Sequence, residues 1–489
     1  MNAQTLSSPR ILQFDTWPVR LSLILAGLFA WVQSAASGLV GNDGYYHLKM
    51  AALMRGDLTL KFIWLPLTIL NPAEYVNHHW LFHILLMPFA GGDLITGGRM
   101  AAVVFAAAAI FVAGWLLRSQ GVPHATLWAV LIFAASSAFV YRMSMPRTQS
   151  LSLLWILVAV YLLLRRHDFW LVLLGMTYVW LYDAFPLLLI VGGVYFIAAR
   201  LTEGQWRWEP LFYSVLGICL GLVINPYFPH NLTFIYHHLA AKLDLTNVPV
   251  GNEWYPYTTA QLLSNSGLAL FAFVGGTFAL GWSRQRITLP TALMFGLSIV
   301  FGIMLMQSRR FVEYFPPFAV MFCAFACQPI LSGRAFRWQA ATAAVAAVIL
   351  AATLTARDAR DIVADDTPAD QFAGASQWLE THTPEGSLVF QTDWDDFPRL
   401  FFYNTHNVYT VGLDPTYLQR ADPTRYTLWV DITQGRGLDV SDAIREQFGA
   451  DYVVSDLKHK AFLARAADDP QFKEVYRDEN SVVFAVLDN

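Results

Sequence analysis

The residues best suited to chemistry gather in a few short stretches. In "NDGYYHLKMAALMRGD", Asp43 and His47 stand four apart, and the spacing of Tyr46, Met50 and Leu53 predicts an amphipathic helix that places both polar groups on one face. A carboxylate there either caps the helix or serves as a base. The segment downstream carries His78, His79 and His83, and a later loop carries Glu253 in "GNEWYP". Glu253 reads either as a second acid facing the same site or as an exposed loop residue. Arginines recur in "YRMSMPRTQS" and "QSRRFVEYFPP": Arg142 and Arg147, with Gln149 beside them, and Arg309 and Arg310. Guanidinium groups match phosphate bidentately, so these four are candidates for holding an anionic headgroup. Carboxylate, imidazole and guanidinium together suit displacement at the anomeric carbon of a phosphate-linked sugar. The arginines would hold the leaving phosphate while an acid takes the acceptor's proton.

The elements that must position these residues follow from composition. Of 489 residues, 56% are hydrophobic and 14% charged, too apolar for one soluble domain of that length. A net charge of −4 excludes nucleic acid as an expected partner. Cys219, Cys323 and Cys327 all fall in apolar runs, which points to neither a disulfide framework nor a thiolate metal site. A helix needs about 20 apolar residues to cross a bilayer. On that measure spans are expected near 21–40, 98–117, 122–141, 148–164, 209–225, 266–283, 289–306, 313–331 and 338–355, with two more in 169–200 turning at "YDAFP". The total is about eleven. "HWLFHILLMPFA" is too short to cross and is expected to lie at the interface, its His79 and His83 spaced for a metal or for aromatic packing.

With the N-terminus cytoplasmic, Arg10, Arg20, Arg118, Arg165, Arg166, Arg200, Arg207, Arg284, Arg286, Arg334 and Arg337 share the inner side, as the positive-inside rule requires. The candidate residues then fall on the outer face. The first apolar run lacks a small-residue cleavage site and is expected to remain as an anchor. The expected organisation is a membrane domain over 1–355 with a first outer loop near 41–97, a linker at 356–365, and a small extracytoplasmic α/β domain over 366–489. In that domain "QTDWDDFPR" sets Asp393, Asp395 and Asp396 in a turn, either solvated or part of a recognition surface. "FIYHHLAAKLD" reads as a juxtamembrane helix with His237 and His238 facing headgroups, and Asp183 reads as a half-helix cap or a functional acid.

The order of "NDGYYH", "NHHWLFHILL" and "RMSMPRTQ" resembles the GT-C superfamily of integral-membrane glycosyltransferases, over roughly residues 20–331. The resemblance implies an all-α polytopic domain with juxtamembrane helices in its first outer loop and a C-terminal α/β domain, multi-pass in the inner (plasma) membrane. It implies a polyprenyl-phosphate sugar donor and a glycan, lipid or protein acceptor. Asp43 matches the family's first-loop acid, which binds a divalent cation (Mg or Mn) in some branches and is the base in others. The second acidic motif of the oligosaccharyltransferase branch is absent from "MPRTQS". On this reading Asp43, Glu253 and His47 are catalytic, and Arg142, Arg147, Arg309, Arg310, His79 and Gln149 bind substrate. A lipid-linked saccharide transporter and a non-catalytic scaffold are the alternatives.

Overall fold

The computed structural model describes residues 15–243, 251–332, 338–437 and 439–487. Arg10, Arg334 and Arg337 lie outside them. The chain is mostly helical, with a five-stranded sheet near its C-terminus. Helices Leu94–Ser119, Thr259–Ser283, Leu289–Gln307 and Trp338–Ala364 are long and apolar enough to cross a membrane. Their exposed large residues, such as Phe271, Phe278, Ile303 and Leu354, form the apolar exterior that a lipid-facing surface needs. Shorter apolar helices occupy Trp17–Gln33, Gln149–Leu164, Asp168–Leu181, Glu209–Val223 and Phe315–Leu331.

The stretch expected as one straight span at 122–141 is broken. Ala125–Ala134 and Ser137–Met143 meet at 91°, with Ser136 between them. Ser136 caps the second helix by accepting from the Phe139 N–H at 3.0 Å, and its hydroxyl meets Ser266 at 2.8 Å, at the kink in Thr259–Ser283. Freed backbone groups at membrane depth need such partners. The bend turns Arg142 and the following residues toward the protein interior.

"HWLFHILLMPFA" forms only the helix Trp80–Leu86 and a short 3-10 turn, Met87–Phe89, far less than a span. With Asp43–Met54 it makes two packed helices in the first loop. Residues 356–365, expected as a linker, instead continue the last apolar helix, which runs unbroken through Ala364. Arg360 bonds the Trp31 carbonyl and, at 2.7 Å, the Ser34 hydroxyl, so the helix is tied to the end of the first one.

The C-terminal sheet comprises β1 (Leu388–Gln391), β2 (Val408–Tyr409), β3 (Tyr452–Asp456), β4 (Phe472–Arg477) and β5 (Ser481–Val486), in the order β2-β1-β3-β5-β4. β1 runs parallel to β2 and β3, whereas β5 is antiparallel to β3 and β4. The register Val389↔Tyr452 and Val453↔Phe484 buries Val389, Val453 and Val454. The domain is docked, because Phe397, Leu400 and Phe401 share one apolar cluster with Tyr46, Phe62 and Trp64 of the first loop. This packing sets the turn after β1 over the start of helix Asp43–Met54.

Candidate active site

Gly41, at φ +72°, turns the chain into Asp43–Met54, and its N–H donates to Asp366 at 2.7 Å. Asn42, not Asp43, is the N-cap residue of the helix. The Asp43 carboxylate is instead paired with Arg147 at 2.7 Å. That approach depends on Gly44, where a Cβ would stand 2.5 Å from Pro146 Cγ.

Arg147 belongs to one wall of a cavity of about 830 Å³ between the membrane helices and the C-terminal domain. Arg142 bonds both Glu253 and Glu313, its Nε lying 2.8 Å from Glu313 Oε1. Arg147 and Arg310 each reach Glu253 at 3.7 Å. Arg310 also donates to the Tyr182 hydroxyl at 2.7 Å and lies 4.6 Å from the Trp254 ring centre. Burial alone would raise the Glu253 carboxyl, but Arg142, Arg310 and Arg147 together hold it well below the usual carboxylate range.

The facing wall carries histidines. His47 is buried with Nδ1 2.9 Å from His83 Nε2. Burial, followed by His83 and Arg147, holds His47 well below its ordinary value, and burial with His78 brings His83 down to about 3. Both rings are therefore neutral near pH 7, one nitrogen donating and the other accepting. His79 stacks on Tyr182, with ring centres 5.7 Å apart. His238 does not face headgroups: it is buried, with Nε2 2.9 Å from Asp183 and Nδ1 3.2 Å from the Tyr417 hydroxyl.

The C-terminal domain covers the cavity with the turn that holds the three acids. Asn42 Nδ2 donates to Asp395 at 2.9 Å, and Arg399 Nε donates to Asn42 Oδ1 at 2.7 Å. Burial, then the charges of Asp43 and Asp393, push the Asp395 carboxyl up to about 7.

Of the expected site residues, Asp43, His47, His79, Arg142, Arg147, Glu253 and Arg310 all line this cavity. Two are elsewhere. Arg309 donates to the Pro256 carbonyl at 3.2 Å and packs over Tyr257, and Gln149 is buried at the start of its helix. Sequence reasoning missed Glu313, Tyr182 and Asp366, although Glu313 stands in the quoted "RRFVEYFPP". A metal at Asp43 is a poor fit to these residues. The partner of Asp43 is a guanidinium, and among the described residues three potential ligand groups converge only at His78, His79 and Asp183.

No family model matches the chain, and no curated protein matches it closely. Solved structures do. The oligosaccharyltransferase of Archaeoglobus fulgidus superposes with a TM-score of 0.66 at 13% identity, over 97% of this chain and 75% of that one. ArnT from Cupriavidus metallidurans, bound to undecaprenyl phosphate, superposes at 0.59 and 16% identity, over 97% of this chain and 98% of that one. The arabinofuranosyltransferase AftD from Mycobacteria gives 0.60 at 14% identity, this chain spanning 40% of it. The fold expected from the resemblance, that of the GT-C membrane glycosyltransferases, is the fold of this chain.

Proposed function

We propose that this protein is a membrane glycosyltransferase that moves a sugar from a polyprenyl-phosphate donor to a glycan, lipid or protein acceptor on the extracytoplasmic face. In this reading the helices cross the membrane about eleven times, with the N-terminus cytoplasmic and the C-terminal domain outside. The observation that carries it is the placement of Asp43 against Arg147, beside Arg310 and Glu253, in one covered cavity. That the similar ArnT structure holds undecaprenyl phosphate supports a donor of this class.

The donor phosphate sits on Arg147 and Arg310, competing with Asp43 and Glu253 for their guanidinium groups. Arg142, held by Glu313, keeps Glu253 in place. As the phosphate draws Arg147 away, the Asp43 carboxylate is released to accept a proton. The acceptor oxygen or nitrogen attacks the anomeric carbon, the bond from that carbon to the phosphate oxygen breaks, and the acceptor's proton goes to Asp43. Polyprenyl phosphate leaves with one more negative charge, which the arginines offset. A single displacement inverts the anomeric configuration. His47, neutral and fixed by His83, orients the acceptor. No step passes through a metal at Asp43.

The test is transfer of radiolabelled sugar from a panel of polyprenyl-phosphate donors by the purified protein. Asp43→Asn is expected to lower the rate about 100- to 10,000-fold, the range of a positioned general base, with donor binding retained. Transfer by Asp43→Asn at the wild-type rate would end the assignment of the base, and donor bound but never consumed by wild type would favour a transporter.

A further inference from the structure

The histidine wall contains a cluster that the proposed reaction does not use. His78 and His79 precede the helix Trp80–Leu86, and Asp183 lies in the turn between Leu171–Leu181 and Leu187–Glu203. One potential ligand atom from each lies within 4.8 Å of the other two. His78 Nε2 is 3.8 Å from Asp183 Oδ2, the oxygen that His238 Nε2 reaches at 2.9 Å. Nitrogen and oxygen ligands of a tetrahedral zinc ion, bound at about 2.0–2.2 Å, stand roughly 3.4 Å from one another. The cluster therefore has nearly the spacing of a ligand set before a cation draws it together.

The surroundings hold these rings in place. His78 stacks on Phe234 at 4.8 Å and His79 on Tyr182 at 5.7 Å, so each imidazole plane is fixed by an aromatic neighbour. His238, braced by the Tyr417 hydroxyl at 3.2 Å, orients the carboxylate as outer-shell partners of metal sites do. We propose that His78, His79 and Asp183 bind one divalent transition-metal ion, with His238 as the positioning residue for Asp183. Two imidazoles and one carboxylate select zinc over magnesium, whose sites are built from oxygen. All three residues line the cavity, and three protein ligands leave a fourth position for an oxygen of the donor phosphate or of the acceptor. The ion would also tie the first outer loop to the turn at Asp183, two segments about a hundred residues apart in sequence.

The test uses the full chain in detergent, stripped with chelator and titrated with Co²⁺ and then Zn²⁺ alone. The expected result is one Co²⁺ per chain, with the visible absorption of a low-coordinate site, displaced by one Zn²⁺ and not by Mg²⁺. His79→Ala and Asp183→Asn should each weaken Zn²⁺ binding at least about ten-fold, and His238→Gln about 10- to 100-fold as an outer-shell loss. Asp43→Asn should leave it unchanged. Absence of saturable Co²⁺ or Zn²⁺ binding, or an affinity indifferent to both Asp183→Asn and His238→Gln in folded protein, overturns the proposal. These readouts need neither donor nor acceptor, so a protein that binds zinc but transfers nothing refutes the glycosyltransferase reading alone.

Discussion

The two walls of the cavity handle buried polarity in opposite ways. On one, three guanidiniums (Arg142, Arg147 and Arg310) face three carboxylates (Asp43, Glu253 and Glu313), a balanced set in which every charge is paired. On the other, burial keeps His47, His79 and His83 neutral. The difference predicts what each wall can accept. In the proposed reaction an arriving phosphodiester would add one negative charge to the arginine wall. On leaving as a phosphate monoester it would carry another, and a proton passed from the acceptor to Asp43 would cancel that increase. Charge on this wall would then be the same before and after the chemical step. The histidine wall offers lone pairs and the Asp183 carboxylate, and suits a cation.

The strongest way to break the contrast is to unbalance the arginine wall. Arg142→Met leaves Glu313, only 1% exposed, and Glu253 without their main partner. Stranding a buried charge costs about 3–5 kcal/mol, so thermal unfolding in detergent should fall sharply, and Arg142→Met/Glu313→Gln should recover part of the loss. Next in size is Arg310→Gln. It removes a charged donor from the proposed phosphate site while Arg142 and Arg147 still hold Glu253. The loss of about 1.5–3 kcal/mol is a rise of about ten- to hundred-fold in donor KM, with a smaller change in kcat.

A smaller effect tests how the helix Asp43–Met54 is held against the arginine turn. In Gly44→Ala the new methyl must displace Pro146, whose Cγ lies 2.5 Å from its position. Overpacking of this kind costs about 1–3 kcal/mol. The same displacement moves Asp43 from Arg147, so transfer should fall by more than stability does, as paired melting and activity measurements will tell. Equal losses would mean that the close approach matters for packing alone.

Much of this site was legible because its chemistry-bearing residues are rare in so apolar a chain. Asp43, His47, His79, Glu253 and three of the four arginines of the two arginine-bearing turns do meet in the cavity. The fourth, Arg309, adjoins Arg310 in sequence but turns to Pro256 and Tyr257, and local spacing in an irregular turn does not say which of two neighbours points inward. Gln149 lies off the cavity for a similar reason: it begins a helix, and its burial depends on packing against other elements. The broken span carried a readable sign in the paired Ser136 and Ser137 inside an apolar run, since a serine can cap a new helix as Ser136 does. Strands β1, β3, β4 and β5 coincide with the β-branched or alternating runs "LVFQ", "YVVSD", "FKEVYR" and "SVVFAV", whereas the two-residue Val408–Tyr409 is too short to have a period. The docking of the C-terminal domain had no local signal. Asp395 meets Asn42 across 353 residues, and only tertiary packing turns a stretch that reads as a solvated turn into the lid of the cavity.

That lid supplies the smallest and most specific prediction. Asp395 has its carboxyl raised to about 7 by burial, then by Asp43 and Asp393, whereas in the unfolded chain it titrates near the ordinary aspartate value of about 3.9. The folded state therefore holds a proton that the unfolded state has already released, and stability falls as pH rises from about 4 to about 7. Asp395→Asn keeps a carbonyl to accept from Asn42 and carries no charge at any pH. The variant should melt close to wild type at about pH 4 and a few degrees higher at pH 8, the gap opening between about pH 4 and about 7. A gap that is constant with pH would mean that Asp395 stays ionised beside Asp43. The lid would then be a second anionic surface over the arginines, and the acceptor would have to approach between two charged carboxylates.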